Sequence, residues 1–194
     1  MTKGVEGAVI QEAVACGLEE FGENRLQEAA GKVAQFPSLR WHMIGHLQSN
    51  KVRRAVGLFE VIQSVDRLPL AEEIHRQAER IGKVARALVQ VNLQEDPSKF
   101  GFLPNGLLPA LETVASLRSL KVLGLMTIAP LVADPEEARP FFRKLRRLGD
   151  LAAREKFPNC DVSVISMGMS QDFEVAIEEG STMVRLGRAI FGEK

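Results

Sequence analysis

Ser166-Met167-Gly168-Met169-Ser170 and Met183-Val184-Arg185-Leu186-Gly187-Arg188 are the two strings that decide how this sequence is read. Each closes a short apolar run with small or cationic residues. Glycine lets backbone N–H groups approach an anion, and serine adds a hydroxyl donor. Two adjacent loops of this kind read as a grip for a phosphate, with Ser166, Gly168, Gly187 and Arg188 as its candidates. In a β/α barrel, the loops after the seventh and eighth strands are the usual phosphate site.

Working back from these strings, the chain alternates helix and strand throughout. Residues 5–16 repeat apolar side chains at helical spacing, and Gly17 is a stop. Residues 19–22 read as a short strand end. A helix over 25–36 stops near Pro37, before a strand over 40–45. A short helix over 50–56 and a strand over 58–65 follow. Residues 68–81 form an amphipathic helix ended by Gly82. Residues 85–93 are a buried strand, 103–117 a helix with Pro104 in its first turn, and 121–126 a strand. A long helix over 135–156 carries Arg143, Lys144, Arg146 and Arg147, read as its wet face. A strand over 162–165, a helix over 171–179 and a strand over 183–186 complete the pattern.

That makes seven strands, each but the last followed by a helix, and a helix before the first. Such alternation means a parallel sheet with helices outside it. The expectation is a single-domain (β/α)8 barrel of TIM type whose first strand is mostly truncated, with only Met1-Thr2-Lys3 left of it. A doubly wound open sheet is the alternative.

Composition narrows the function. The 194 residues are 45% hydrophobic and 26% charged, and 25 basic side chains cancel 25 acidic ones. A neutral chain argues against nucleic acid or a membrane surface as partner. No apolar run approaches the roughly 18 residues of a membrane span. The N-terminus has no signal-peptide pattern, and Cys16 and Cys160 stand alone, read as buried or idle thiols. The expectation is a cytoplasmic protein. His42, His46 and Glu60 have no zinc-site spacing, so no metal is expected. There is no tyrosine.

Met1-Thr2-Lys3; Phe21-Gly22-Glu23-Asn24 with Gln27-Glu28-Ala29; Trp41-His42-Met43-Ile44-Gly45-His46-Leu47-Gln48-Ser49-Asn50-Lys51; Gly124-Leu125-Met126-Thr127; the 166–170 string with Asp172-Phe173; and Val184-Arg185-Leu186-Gly187-Arg188-Ala189-Ile190-Phe191-Gly192 are further motifs. Together they resemble the pyridoxal phosphate homeostasis protein family, over essentially the whole chain. The Trp41 string and the C-terminal pair are the specific ones. The resemblance implies a barrel similar to the N-terminal domain of alanine racemase. It also implies pyridoxal 5′-phosphate (PLP) as cofactor and a role in PLP homeostasis without an established catalytic reaction. Apo forms of PLP enzymes would be recipients, and a monomer is expected.

On that resemblance, Lys3 is the lysine that holds PLP as an aldimine. The chemistry needs a neutral amine, and burial in the barrel mouth would disfavour the ammonium. Arg185 is implied to face the pyridine nitrogen. A guanidinium keeps its proton, so the ring nitrogen would stay unprotonated and the ring would be a weak electron sink. Asn24 is implied near the ring; from the residues alone it is equally a helix N-cap. Ile44 and His46 flank the Trp41 strand end and would wall the ring. Met126 and Met167 read as core or ring-facing surface. Ser170 reads as the N-cap of the following helix as readily as a ligand contact. Arg188 would meet phosphate through its backbone N–H. Residues 99–102 read as a solvated loop near the mouth.

Two other functions compete. An amino-acid racemase of the alanine racemase design needs a second base, a tyrosine from an added domain, with His46 the substitute here. A phosphosugar isomerase would need a carboxylate at a strand end, and Glu23 is the candidate. A truncated first strand would leave two unpaired edges and put Lys3 on a frayed terminus. The chain made as written is therefore expected to bind PLP weakly or to be poorly soluble, and translation is expected to start upstream of Met1.

Overall fold

A computed structural model describes residues 1–192. Seven parallel strands form one sheet in sequence order: β1 (Glu20–Glu23), β2 (Arg40–Met43), β3 (Val61–Val65), β4 (Ala85–Gln90), β5 (Leu120–Met126), β6 (Cys160–Met169) and β7 (Met183–Arg185). Each strand pairs in parallel with the next. A doubly wound sheet would reverse its winding and set non-consecutive strands side by side. Unbroken sequential order is barrel winding.

Eight helices alternate with the strands among the described residues: α1 (Gly7–Ala15), α2 (Leu26–Gln35), α3 (Val52–Leu58), α4 (Leu68–Arg80), α5 (Leu107–Ala115), α6 (Arg139–Arg154), α7 (Phe173–Glu178) and α8 (Arg188–Phe191). Every residue of β3 is buried, as a parallel strand covered on both faces requires. Trp41 packs on Phe21 with ring centroids 5.5 Å apart, and its indole N–H donates to the Phe36 carbonyl. On α6, Phe142, Leu145 and Ala152 face the core. Its outer face is wet, as expected, but ion-paired: Arg139 and Arg143 meet Glu179 on the turn after α7, and Lys144 meets Glu95. Exposed pairs of this kind contribute little each.

Three expectations change. The strand expected over 162–165 runs on to Met169, because Met169 still pairs with Arg185 on β7. A short helix, α8, follows the last strand. The start of the sequence is tied down, not frayed. The Thr2 N–H donates to the Gly22 carbonyl at 3.1 Å, the spacing of a strand beside β1. On the other side, the Met1 amine donates to the Leu186 carbonyl at 2.6 Å. Residues 1–2 therefore bridge β1 and β7 at one end of the barrel. Next to this bridge lies an inner cavity of about 210 Å³ lined by Phe21, His42, Gln63, Met183 and Arg185, among others.

Both cysteines are free; Cys16 is exposed, not buried, and burial pushes the Cys160 thiol up to about 11. Among the described residues no helix is long and apolar enough to cross a membrane.

Candidate functional site

The carboxyl ends of the strands open on a cavity of about 630 Å³, whose walls include Lys3, Asn24, Ile44, Met169, Arg185, Gly187 and Arg188. Asn24 follows β1, Ile44 follows β2, Met169 ends β6 and Gly187 follows β7. In a β/α barrel this is the end where loop variation builds sites. Six of the ten residues expected from sequence meet here: Lys3, Asn24, Ile44, Arg185, Gly187 and Arg188.

Lys3 stands at the mouth and is exposed, so the burial expected to favour its free amine is not present in the protein by itself. The chain before it is fixed tightly. Thr2 is fully buried; its hydroxyl donates to Glu23 Oε1 at 2.5 Å. Lys32 on α2 donates to the Thr2 carbonyl at 2.5 Å and to Glu23 Oε1 at 2.6 Å. Glu23 is fully buried, and its Oε2 has no partner among the described residues. A buried carboxylate needs charge and hydrogen bonds around it. Here Lys32 supplies the charge, and the same ammonium clamps the backbone one residue from Lys3. Glu23 is thereby occupied and does not line the mouth, which removes it as an isomerase base.

Arg185 is buried and lines both the mouth and the inner cavity. Its guanidinium donates to Ser166 Oγ at 2.8 Å and to the Thr127 carbonyl at 2.7 Å. Both acceptors are neutral. Desolvation brings its pKa down to about 10, with Asp172 pulling the other way. At neutral pH it is still a cation, now at the edge of a cavity.

The expected phosphate loops are rearranged in detail. Ser166 lies inside the barrel, and its hydroxyl serves Arg185 and Gln63; it does not line the mouth. Met167 is fully buried in the main core. Gly168 is buried with φ of 93°, and a Cβ there would come within 2.6 Å of the Ala176 methyl. Glycine at 168 thus lets α7 pack on β6. Ser170 does not cap the next helix, whose N-cap position is Asp172. Its Oγ instead accepts from the N–H groups of Gly187 (3.1 Å) and Ala189 (3.2 Å). Ser170 is what joins the two loops.

Asn24 is exposed at the mouth and caps nothing: α2 starts at Leu26 with Arg25 in the N-cap position. Gly45 packs so closely on Asn24 that a Cβ would overlap its carbonyl oxygen. His46 is not among the residues that line the mouth. Its Nδ1 lies 2.8 Å from Asp66 Oδ2, and its ring stacks on Phe100 at 3.7 Å. The loop expected to be simply solvated is thus held, through Phe100, to the segment that follows β2.

Sequence reading missed Thr2, Lys32, Gln63 and His42. A signal existed for one group: Glu23 shares a face of β1 with the core residue Phe21, and a carboxylate on a buried face asks for a cation within reach.

Comparisons with known proteins agree with this architecture. Residues 3–194 match the family described as alanine racemase, N-terminal domain. A pyridoxal phosphate homeostasis protein from Aquifex aeolicus (strain VF5) is 46% identical over 195 residues, covering 100% of this chain and 85% of the relative. The structure of PipY from Synechococcus elongatus PCC7942 with PLP bound superposes with a TM-score of 0.88 at 39% identity, over 95% of this chain and 87% of that one. Alanine racemase from Clostridium difficile 630 superposes with a TM-score of 0.78 at 16% identity, over 96% of this chain and 47% of that one, a likeness of fold alone.

Proposed function

This chain belongs to the pyridoxal phosphate homeostasis protein family, and from that premise we propose that it binds PLP in the Lys3–Arg185 mouth and holds it for intracellular use. The observation that carries the proposal is the convergence of Lys3, Arg185 and Gly187 on one cavity, with Ser170, between the lining residues Met169 and Gln171, bonded to Gly187. The residues fit the cofactor on their own chemistry. A buried guanidinium bonded to neutral acceptors offers N–H donors to a pyridine nitrogen. The Ser170 hydroxyl, accepting from two backbone amides, keeps its own proton to donate to a phosphate oxygen. Ile44 and Met169 offer apolar wall to the ring, with Asn24 at its edge.

Bound PLP supplies a reactive aldehyde and a ring that can draw electrons from it. Lys3 is the amine offered to the aldehyde. The Thr2–Glu23–Lys32 cluster fixes the backbone that delivers it. Arg185, protonated at neutral pH, would donate to the ring nitrogen without passing it a proton. That weakens carbanion chemistry and favours holding the cofactor. The Gly187 N–H is already given to Ser170, so the junction meets the phosphate through the Ser170 hydroxyl and Arg188. His46, engaged with Asp66 and Phe100, serves the loop and not the ring. Apo-PLP enzymes are the proposed recipients, the monomer is the proposed working unit, and free thiols fit a cytoplasmic setting.

A PLP titration followed by absorbance tests this. Saturable uptake is expected in the full chain and its loss in Lys3→Ala. Racemisation of several amino acids that vanishes in Lys3→Ala would replace the carrier with an enzyme.

A further inference from the structure

A line of polar side chains crosses the barrel interior from the mouth to the inner cavity. Arg185 Nη1 donates to Ser166 Oγ at 2.8 Å, and Ser166 Oγ donates to Gln63 Oε1 at 2.8 Å. Gln63 Nε2 lies 2.8 Å from His42 Nδ1 and 3.1 Å from Met183 Sδ. Beyond the ring, His42 Nε2 is 3.9 Å from Glu20 Oε2. All four linked residues, Arg185, Ser166, Gln63 and His42, are buried.

The sense of this line follows from its ends. A guanidinium only donates, so Ser166 must accept from Arg185 and pass its own proton onward. Gln63 then presents its oxygen to Ser166 and its NH2 to His42, an orientation the Met183 sulfur, a weak acceptor, also favours. A neutral imidazole carries one proton. The Glu20 carboxylate beside Nε2 draws that proton there and leaves Nδ1 as the acceptor Gln63 needs. Every donor therefore points the same way, the arrangement in which successive bonds strengthen one another.

We infer that Ser166, Gln63 and His42 form a one-way hydrogen-bond chain that fixes the orientation of the Arg185 guanidinium, making Gln63 and His42 positioning residues for the bound cofactor ring. The inference rests on the proposed PLP site. Neither residue lines the mouth, so each acts only through Arg185. The chain requires a neutral His42. Burial lowers the affinity of its ring for a second proton, against Glu20 on β1 and Glu60 before β3, with Arg40 on its own strand helping to keep it neutral. A second proton would occupy Nδ1, remove the acceptor and set two donors face to face.

The full chain, apo and PLP-loaded, tests this. Nitrogen-15 NMR of the apo protein at neutral pH is expected to find the His42 proton on Nε2; a proton on Nδ1 overturns the inference. In the loaded protein, His42→Leu is expected to shift the PLP absorbance band and weaken binding by about three- to tenfold, the worth of one buried hydrogen bond. His42→Gln, whose amide oxygen accepts from Gln63, is expected to restore both. Below pH 6.5, the ordinary histidine value, the wild-type spectrum is expected to titrate and that of His42→Gln not to. A Leu variant with wild-type spectrum and affinity overturns the inference, as does a Gln variant that titrates like wild type. Should the Leu variant not fold, the tautomer and the Gln variant decide. A wild-type chain that takes up no PLP sinks the functional proposal, while the tautomer still judges the chain of bonds.

Discussion

The Lys32 ammonium holds the carbonyl oxygen of Thr2 at 2.5 Å, one residue before Lys3, across 30 positions of sequence. The same nitrogen lies 2.6 Å from a fully buried Glu23. Breaking a buried ion pair from one side leaves an uncompensated charge and costs about 3–5 kcal/mol. Lys32→Met is therefore expected to lower the thermal midpoint of the apo protein by several degrees and to weaken PLP uptake more than tenfold. Unchanged uptake in Lys32→Met would mean that the clamp does not deliver Lys3.

Ser170 is expected to matter for the phosphate and not for the ring. Its hydroxyl satisfies the N–H groups of Gly187 and Ala189 at once. Ser170→Ala removes an acceptor worth about 1 kcal/mol, and a phosphate donor with it. PLP affinity should fall about tenfold while affinity for pyridoxal, which lacks the phosphate, stays level. Equal losses for both ligands would place the phosphate elsewhere.

Acid should weaken the fold through His42. Its folded pKa lies below the ordinary 6.5 because burial penalises the imidazolium. Between those two values the unfolded chain binds the proton more readily, so stability rises with pH through that window and is lost as pH falls below 6.5. Denaturant midpoints measured from pH 7 to pH 5 should drop less steeply in His42→Gln than in wild type. Parallel curves would remove His42 from the acid response.

Gly45 ties the end of β2 to Asn24. A methyl at 45 would overlap the Asn24 carbonyl oxygen, and backbone on both sides cannot yield cheaply. Gly45→Ala is expected to cost about 1–3 kcal/mol, the range for overpacking, and to displace Asn24 from the mouth. A wild-type melting curve and PLP affinity in Gly45→Ala would show the contact to be soft.

How far the sequence could be read varies with the kind of interaction. Strand number follows from the alternation of strand and helix, which by itself leaves barrel and doubly wound sheet both open. Gly187 stands out as a phosphate-loop glycine, while Lys3, Asn24 and Arg185 were implied by the family resemblance, and the structure brings all four to one mouth. Ser166 and Ser170 could not be told apart that way. They sit four residues apart in a string of small residues and methionines that reads as loop, and only the pairing of Met169 with Arg185 carries β6 past Ser166 and buries it. Lys32 was legible at most as a cation for Glu23; its hold on the Thr2 carbonyl, 30 positions away, leaves no trace in the sequence. Gln63 was illegible because a glutamine in a buried strand declares no partner until Ser166 and His42 are brought beside it.

Lys3 is the residue proposed to take the cofactor's aldehyde. Adding PLP to the full chain, reducing with borohydride and mapping the modified peptide by mass spectrometry tests it most directly. A single pyridoxyl adduct on Lys3, absent from Lys3→Ala, is the expected result. An adduct on Lys32, Lys51 or Lys99 with Lys3 unmodified would contradict it.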